Sequence, residues 1–169
     1  MSGRRYQMIL KHLHIDSNEN DDPLSKVRPI IDLLVSNIRS CYYPDQNLSL
    51  DESMMAWRGR LRFRQYIKGK KHKFGIKFYA LCETTGFVLN FVIYEGKSTV
   101  TKDDEGDGHC QKIVMKLMQP YLDKGHGLYM DNFYNSVGLS ELLHSRKTHV
   151  TGTLRTNRKD NPKSITQKN

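Results

Sequence analysis

The chain has 169 residues, of which 37% are hydrophobic and 27% charged, and its formal net charge is +9. This length predicts one domain, or one domain with part of a neighbour, and it is sufficient for a packed core. The longest near-apolar run, residues 87–94, falls far short of the roughly 20 residues that a membrane-spanning helix needs. We therefore expect no contact with a membrane. The chain has three cysteines without paired spacing, so we expect neither a disulfide scaffold nor a zinc finger.

The first 45 residues predict a helical lead-in segment. Residues 1–15 have the pattern of a helix, and residues 16–22 that of an acidic, Asn-rich loop. A second, amphipathic helix is predicted over residues 26–40, with Ser25 as its N-cap. The apolar residues at helical spacing in that helix are Val27, Ile30, Ile31, Leu34 and Ile38.

Residues 46–154 predict an alternation of strands and helices. Leu48 and Leu50 alternate with polar residues in a short first strand that ends near residues 51–55, and a hairpin follows over residues 74–94. Two helices then alternate with two more strands. The order strand, hairpin, helix, strand, helix, strand is typical of an α/β fold with a mixed sheet.

Two carboxylates end short apolar segments of this pattern. Asp51 follows the first strand, and Asp131 follows the strand over residues 127–130. Carboxylates at strand ends are suited to holding a hard cation such as Mg²⁺ that retains some of its water. Taken alone, the pattern also fits ordinary turn or helix caps, especially for Asp131-Asn132 before a helix.

The positive charge is concentrated in two blocks. Residues 58–73 contain eight basic and no acidic residues, and residues 144–169 contain seven basic residues and one acidic residue. Such blocks favour a polyanion as partner, since Lys and Arg release counterions from phosphates. A solvated face and a frayed tail are the plainer alternative. Residues 155–169 are expected to be a basic, poorly ordered tail. The predicted DNA-binding residues are Arg58, Arg60, Arg62, Arg64, Lys68, Lys70, Lys71, Lys73, Arg155, Arg158 and Lys159.

The first basic block alternates basic and apolar residues. A strand here would place Arg60, Arg62 and Arg64 on one face, where guanidinium groups can follow a phosphate backbone without reading bases. Trp57 and Tyr66 are able to stack on unpaired bases, but core packing is the expectation for each aromatic residue.

Several segments together resemble the piggyBac transposases. The resemblance begins with Asp51-Glu52-Ser53-Met54 and Trp57-Arg58-Gly59-Arg60, and it continues in order over nearly the whole chain. Where the family commonly has two prolines between Tyr66 and Gly75, this chain has Lys68 and Lys71. The other matching residues are Tyr66, Lys70, residues 73–77, residues 85–86, residues 94–97, residues 131–134, residues 151–155, residues 157–159 and Pro162.

The resemblance implies a ribonuclease-H-like core with three catalytic aspartates. In that fold the first and fourth strands are neighbours, so Asp51 and Asp131 converge as metal ligands and catalytic residues. The third aspartate of the family lies on a later helix, so the fold implied for these residues is C-terminally incomplete.

The implied activity is metal-dependent cleavage and strand transfer of double-stranded DNA in cut-and-paste transposition. The implied cofactor is Mg²⁺ or Mn²⁺, bound at a two-metal site in full-length members of the family. The resemblance also implies a homodimer of the full-length protein and a nuclear location. We expect residues 1–169 alone to be inactive, because two carboxylates are few ligands for two metals. The alternative is a degenerate or domesticated protein that binds DNA, chromatin or a partner protein without catalysis.

Overall fold

The computed structural model describes residues 1–13, 22–69 and 72–162, and the chain divides into two compact units, Met1–Cys41 and Tyr42–Asn169. The first unit contains α1 (Gly3–His12) and α2 (Arg28–Cys41), and neither helix buries any of its residues. Most of the acidic loop predicted over residues 16–22 lies outside the described residues.

The second helix begins later than predicted. The backbone N–H groups of Val27 and Arg28 both donate to the carbonyl oxygen of Leu24, at 2.9 and 2.8 Å. This closes a turn before the helix, and Ser25 lies within that turn. The prediction of Ser25 as the N-cap is therefore wrong.

The described part of the second unit forms one six-stranded sheet with two α-helices. The strands are β1 (Asn47–Ala56), β2 (Gln65–Tyr66), β3 (Phe74–Glu83), β4 (Val88–Ile93), β5 (Gly127–Met130) and β6 (His149–Gly152), and the helices are α3 (Gly108–Met118) and α4 (Val137–Ser145).

The sheet order is β2-β3-β1-β5-β6, and β4 also pairs with β3. The pairs within the first part of the chain are antiparallel, whereas β1–β5 and β5–β6 are parallel. The predicted order of strands and helices is confirmed, with the two-residue β2 as an addition. The expected neighbours are also present, because the strand that follows α3 pairs directly with β1.

Both α-helices pack on one face of this sheet. Leu48 and Leu50 of β1 point into the same core as the apolar sides of α3 and α4, since alternate residues of a strand share a face. The Ser136 hydroxyl caps α4 by accepting the Leu139 N–H at 3.2 Å. The fully buried residues of this core include Leu81, Leu89, Ile113, Val114, Leu117, Leu128, Leu139 and Leu143.

Two glycines permit close backbone contact between neighbouring strands of the sheet. A Cβ at Gly75 would lie 2.3 Å from the Met55 carbonyl oxygen, and a Cβ at Gly152 would lie 2.2 Å from that of Met130. These positions in β3 and β6 therefore exclude any side chain. No helix in the described ranges is long and apolar enough to cross a membrane.

Candidate functional site

Parallel pairing of β1 with β5 brings Asp51 next to Asp131. Leu50 is paired with Met130, and each aspartate is the residue that immediately follows its member of this pair. Neighbouring strands lie about 4.8 Å apart, which is the scale of the separation between the two backbones. Leu50 and Met130 are buried, whereas both aspartates are exposed. The sheet thus presents two carboxylates side by side at its surface.

Each of these carboxylates is oriented by nearby backbone. Asp51 Oδ1 accepts the N–H of Glu52 at 2.7 Å, and Asp131 Oδ1 accepts the N–H of Phe133 at 2.8 Å. The Asp131 carbonyl oxygen accepts the Asn135 N–H at 3.2 Å, which closes the turn after β5. Neither aspartate forms an ion pair with any residue that the structure describes.

The core-facing side of β1 carries a second acidic residue, Glu52, which forms a hydrogen bond and an ion pair. Glu52 Oε2 accepts a hydrogen bond from the Tyr134 hydroxyl at 2.9 Å, and Glu52 Oε1 lies 3.6 Å from Lys77 Nζ. Glu52 is adjacent to Asp51, and Tyr134 lies three residues after Asp131. This hydrogen bond therefore joins the two segments that carry the aspartates, from the face opposite to Asp51.

An aromatic cluster surrounds the ammonium group of Lys77. Its Nζ lies 4.8 Å from the ring centroid of Tyr79, 5.3 Å from that of Phe133 and 5.7 Å from that of Tyr94. A cation over aromatic faces is attracted to them, and it is held more firmly where water is excluded. Burial of the Tyr134 hydroxyl, and then the charge of Glu52, raise the pKa of Tyr134, so this group remains a donor.

The imidazole of His109 lies at the rim of this cluster. Its Nε2 is 3.2 Å from the Tyr79 hydroxyl, and burial, followed by the charge of Lys77, lowers the pKa of His109. Both influences favour a neutral ring, which is able to accept a hydrogen bond from the Tyr79 hydroxyl.

Two arginines of the predicted DNA-binding set contact the turn after Asp131. The Arg158 guanidinium donates to the carbonyl oxygens of Asn132, at 3.2 Å, and of Phe133. Arg155 Nε donates to Asn132 Oδ1 at 3.0 Å. Residues 155–162, assigned to the tail by sequence, form turns in which the Asn161 amide donates to the Arg155 carbonyl at 2.7 Å. Their role in binding DNA stays a prediction, whereas their contact with the Asp131 turn is direct.

Residues 58–64 of the first basic block form a loop with a turn, and the alternating strand considered for this block is limited to Gln65 and Tyr66 in β2. Arg64 explains this conformation, because its Nη1 donates to the carbonyl oxygens of Arg58 and Gly59, both at 3.3 Å. The alternation of exposure survives in the loop: Phe63 is buried between exposed arginines. Lys70 and Lys71 lie outside the described residues. Arg158 is half-buried, and the exposed members of the predicted DNA-binding set are Arg58, Arg60, Arg62, Arg64, Lys68, Lys73, Arg155 and Lys159.

The donor set at the paired aspartates is limited to two side chains. Across residues 1–13, 22–69 and 72–162, no three His, Cys, Asp or Glu side chains gather where they would hold a metal ion. Glu52 is not a further metal ligand here, because it lies on the face opposite to Asp51 and its carboxylate contacts Lys77 and Tyr134. What remains is a pair of exposed carboxylates able to share one hydrated cation.

Sequence reasoning assigned no role to Glu52, Lys77 or Tyr134. One available clue was the alternation of β1, which places Glu52 on the same face as Leu48 and Leu50. A carboxylate on a core-facing position requires a partner, because burial of an unpaired charge is costly. The identity of that partner depends on contacts between residues 82 positions apart.

Replacement of Tyr134 by Phe tests the connection to Glu52. The variant leaves a partly buried carboxylate without its hydroxyl donor, so we expect a loss of about 1.5–3 kcal/mol in the free energy of unfolding, measured by urea titration. Tyr129→Phe is the matched control, because Tyr129 is exposed in β5 and should change stability by less than about 0.5 kcal/mol. An equal effect of the two substitutions would contradict the stabilising role of this hydrogen bond.

Comparison with known proteins identifies the family of this chain. A family model described as Transposase IS4 matches residues 1–169. The human (Homo sapiens) proteins "PiggyBac transposable element-derived protein 3" and "PiggyBac transposable element-derived protein 2" are 32% and 27% identical to the chain over 157 residues. Each alignment covers 89% of the chain and 26% of the relative, so the chain spans about a quarter of the length of these curated relatives.

A solved structure extends the comparison to three dimensions. A piggyBac transposase, determined by cryo-EM in a synaptic complex with hairpin DNA, superposes with a TM-score of 0.87 and 28% identity. The match covers 99% of this chain and 36% of the transposase chain. The ribonuclease-H-like α/β fold expected from the sequence is thereby confirmed. The chain belongs to the transposase family that the matching model describes, and within it to the piggyBac group.

Proposed function

We propose that this chain contributes the divalent-metal and DNA-backbone contacts of a transposase catalytic core that cuts and joins DNA phosphodiesters. The observation that carries this proposal is the placement of Asp51 and Asp131 directly after the paired residues of β1 and β5. The neighbouring transposase structure, a synaptic complex with hairpin DNA, supports DNA as the substrate. A nuclear location is part of the same proposal, as is a homodimer of the longer protein.

The donor chemistry of the two aspartates fits Mg²⁺ or Mn²⁺. These cations prefer carboxylate oxygen, and Mg²⁺ commonly retains several waters while one or two carboxylates bind it. Asp51 and Asp131 are exposed, like-charged and adjacent, so a shared cation relieves their mutual repulsion. A bound divalent cation activates the attacking oxygen and stabilises the leaving oxygen of a phosphodiester.

The protein's own contribution at this site is orientation. The backbone N–H groups of Glu52 and Phe133 each engage one carboxylate oxygen, which fixes the direction of the two side chains. Arg158 holds the turn that carries Asp131 by binding the carbonyl oxygens of Asn132 and Phe133. A fixed ligand pair binds a cation at lower entropic cost than two mobile side chains do.

The exposed basic loop supplies the contact with the DNA backbone. No acidic residue occurs between Glu52 and Glu83, so the loop lies in a continuous stretch of positive charge. Arg60 and Arg62 are exposed and remain available for phosphate, whereas Arg64 is committed to the loop backbone. Contacts of this kind position DNA without selecting a sequence.

A second candidate function is binding without catalysis. The observation that favours it is the donor set of two carboxylates, together with relatives named as transposable element-derived proteins. In this alternative the same loop binds DNA, and the paired aspartates bind a cation that organises the fold. The two functions differ in the fate of the DNA strand.

Metal binding at the paired aspartates is tested with Mn²⁺ and NMR. We expect Mn²⁺ to broaden the backbone amide signals of residues 51–53 and 131–133 preferentially, because its paramagnetic effect is confined to its surroundings. Asp51→Asn and Asp131→Asn should each remove this selective broadening. Asp45→Asn is the control, since this exposed aspartate precedes β1 and its replacement should leave the pattern intact. Broadening that persists in both site variants would refute metal binding here.

A strand-cleavage assay tests whether residues 1–169 suffice for catalysis. With two carboxylates as ligands, we expect residues 1–169 to release no detectable cleavage product from labelled duplex DNA in Mg²⁺ or Mn²⁺. Mg²⁺-dependent cleavage that Asp51→Ala abolishes and Asp45→Ala retains would show that these residues suffice for catalysis.

Salt dependence tests the role of the basic loop. Double-stranded DNA binding should weaken steeply with salt, and Arg60→Gln with Arg62→Gln should reduce the slope of log K against log [salt] by about 1.8. The matched control is Lys97→Gln with Lys102→Gln, which removes the same charge from exposed positions after β4. The measurement is fluorescence anisotropy of a labelled duplex, and an equal change of slope in both double variants would contradict a localised contact.

A further inference from the structure

Three exposed aromatic side chains occur together at the end of the sheet next to the basic loop. Trp57, Tyr66 and Phe74 are 43%, 56% and 48% exposed, so the expectation of core packing is wrong for Trp57 and Tyr66. Tyr66 and Phe74 are directly paired between β2 and β3, and their ring centroids are 4.9 Å apart. The backbone N–H of Trp57 donates to the Phe74 carbonyl oxygen at 3.3 Å, so Trp57 is next to Phe74 on the neighbouring strand.

Local contacts fix these rings in place. The indole of Trp57 lies against Gly59, where an added Cβ would be 2.8 Å from Nε1. The guanidinium carbon of Arg64 lies 5.0 Å from the Phe74 ring centroid, and the same side chain holds the carbonyl oxygens of Arg58 and Gly59. The aromatic groups and a stacked cation therefore share one loop-and-strand framework.

The charge around the rings identifies the chemistry of a partner. Residues 53–82 contain no Asp or Glu, and Arg60, Arg62, Lys68 and Lys73 are exposed beside the aromatic residues. A partner that matches both features carries repeated negative charge and flat apolar faces. Unpaired nucleotides have this combination, whereas a duplex hides its base faces by stacking and an acidic peptide has few planar groups.

We propose that Trp57, Tyr66, Phe74 and Arg64 form a platform on which unpaired bases of a DNA strand stack. The proposal rests on the DNA-binding function above and adds a preference for single-stranded segments. Stacking on aromatic side chains tolerates any base, because each base has a π-face. The platform therefore recognises the unpaired state of DNA and not its sequence.

The sheet register relates the platform to the paired aspartates. Phe74, Ile76, Phe78 and Ala80 alternate along one face of β3, and Ala80 is paired with Asp51. Six residues of strand span about 20 Å. A strand whose bases stack at Phe74 is therefore able to continue along the same face toward Asp51.

The protein contains one tryptophan, so its fluorescence reports on the platform directly. We expect a 16-nucleotide oligo(dT) to quench Trp57 emission and a duplex of equal length to quench it less. Tyr66→Leu with Phe74→Leu should weaken oligo(dT) binding by about tenfold or more and duplex binding by less than about twofold. The control is Phe87→Leu, a similarly exposed aromatic residue in the β3–β4 turn, which should change neither affinity.

Two further variants separate the possible failures. Tyr66→Phe retains a ring and should retain oligo(dT) affinity, which distinguishes lost stacking from a disturbed fold. Arg60→Gln with Arg62→Gln should lower the affinity for both oligo(dT) and the duplex. An unchanged affinity for both would refute the DNA-binding function itself. Two results would overturn the platform while leaving the role of the basic loop intact. One is an equal loss of oligo(dT) and duplex affinity in the Tyr66→Leu/Phe74→Leu variant. The other is quenching of Trp57 by poly-glutamate that is as strong as quenching by oligo(dT).

Discussion

The parallel pairing of β1 with β5 is the constraint on which the candidate site depends. It joins residues about 80 positions apart, and its last pair, Leu50 with Met130, is buried in the core. A shift of one residue in this register would turn the apolar set of one strand away from the core. The hydrophobic packing of Leu50 and Met130 therefore also fixes the relative position of Asp51 and Asp131, which follow them.

The pair of aspartates is supported from two directions. On the core face, Tyr134 and Lys77 engage Glu52, the neighbour of Asp51, within a cluster of aromatic rings. At the end of β5, Arg158 binds backbone oxygens of the turn that begins with Asp131. Polar contacts in a partly buried setting are directional, so together they fix the geometry of the site more closely than apolar packing does.

Sequence patterns predicted the elements better than the contacts between them. The alternation of Leu48 and Leu50 was sufficient to locate β1, but the proximity of Asp51 and Asp131 followed from the family resemblance, because local patterns carry no information on strand order. The hydrogen bond from Tyr134 to Glu52 depends on that strand order, so the sequence patterns did not predict it. In residues 58–66, the expectation of core packing holds for the aromatic residue Phe63, whereas strand structure is limited to Gln65 and Tyr66. An apolar side chain such as Phe63 can be buried from a loop as well as from a strand. The apolar pattern therefore predicts burial without determining the backbone conformation.

The alternation of side chains across the sheet also separates the charges that the proposed function requires. Arg58 lies beyond the end of β1, and the five residue steps of strand from Asp51 to Ala56 alone span about 16 Å, which exceeds the roughly 8 Å over which exposed charges interact at physiological salt. Lys77 is closer along the sheet, but it lies on the core face, paired with Glu52. If either cation reached Asp51, an internal ion pair would neutralise the carboxylate and compete with a metal ion. Distance along the strand keeps Arg58 away from Asp51, and the strand pleat does the same for Lys77, so Asp51 is free of both cations.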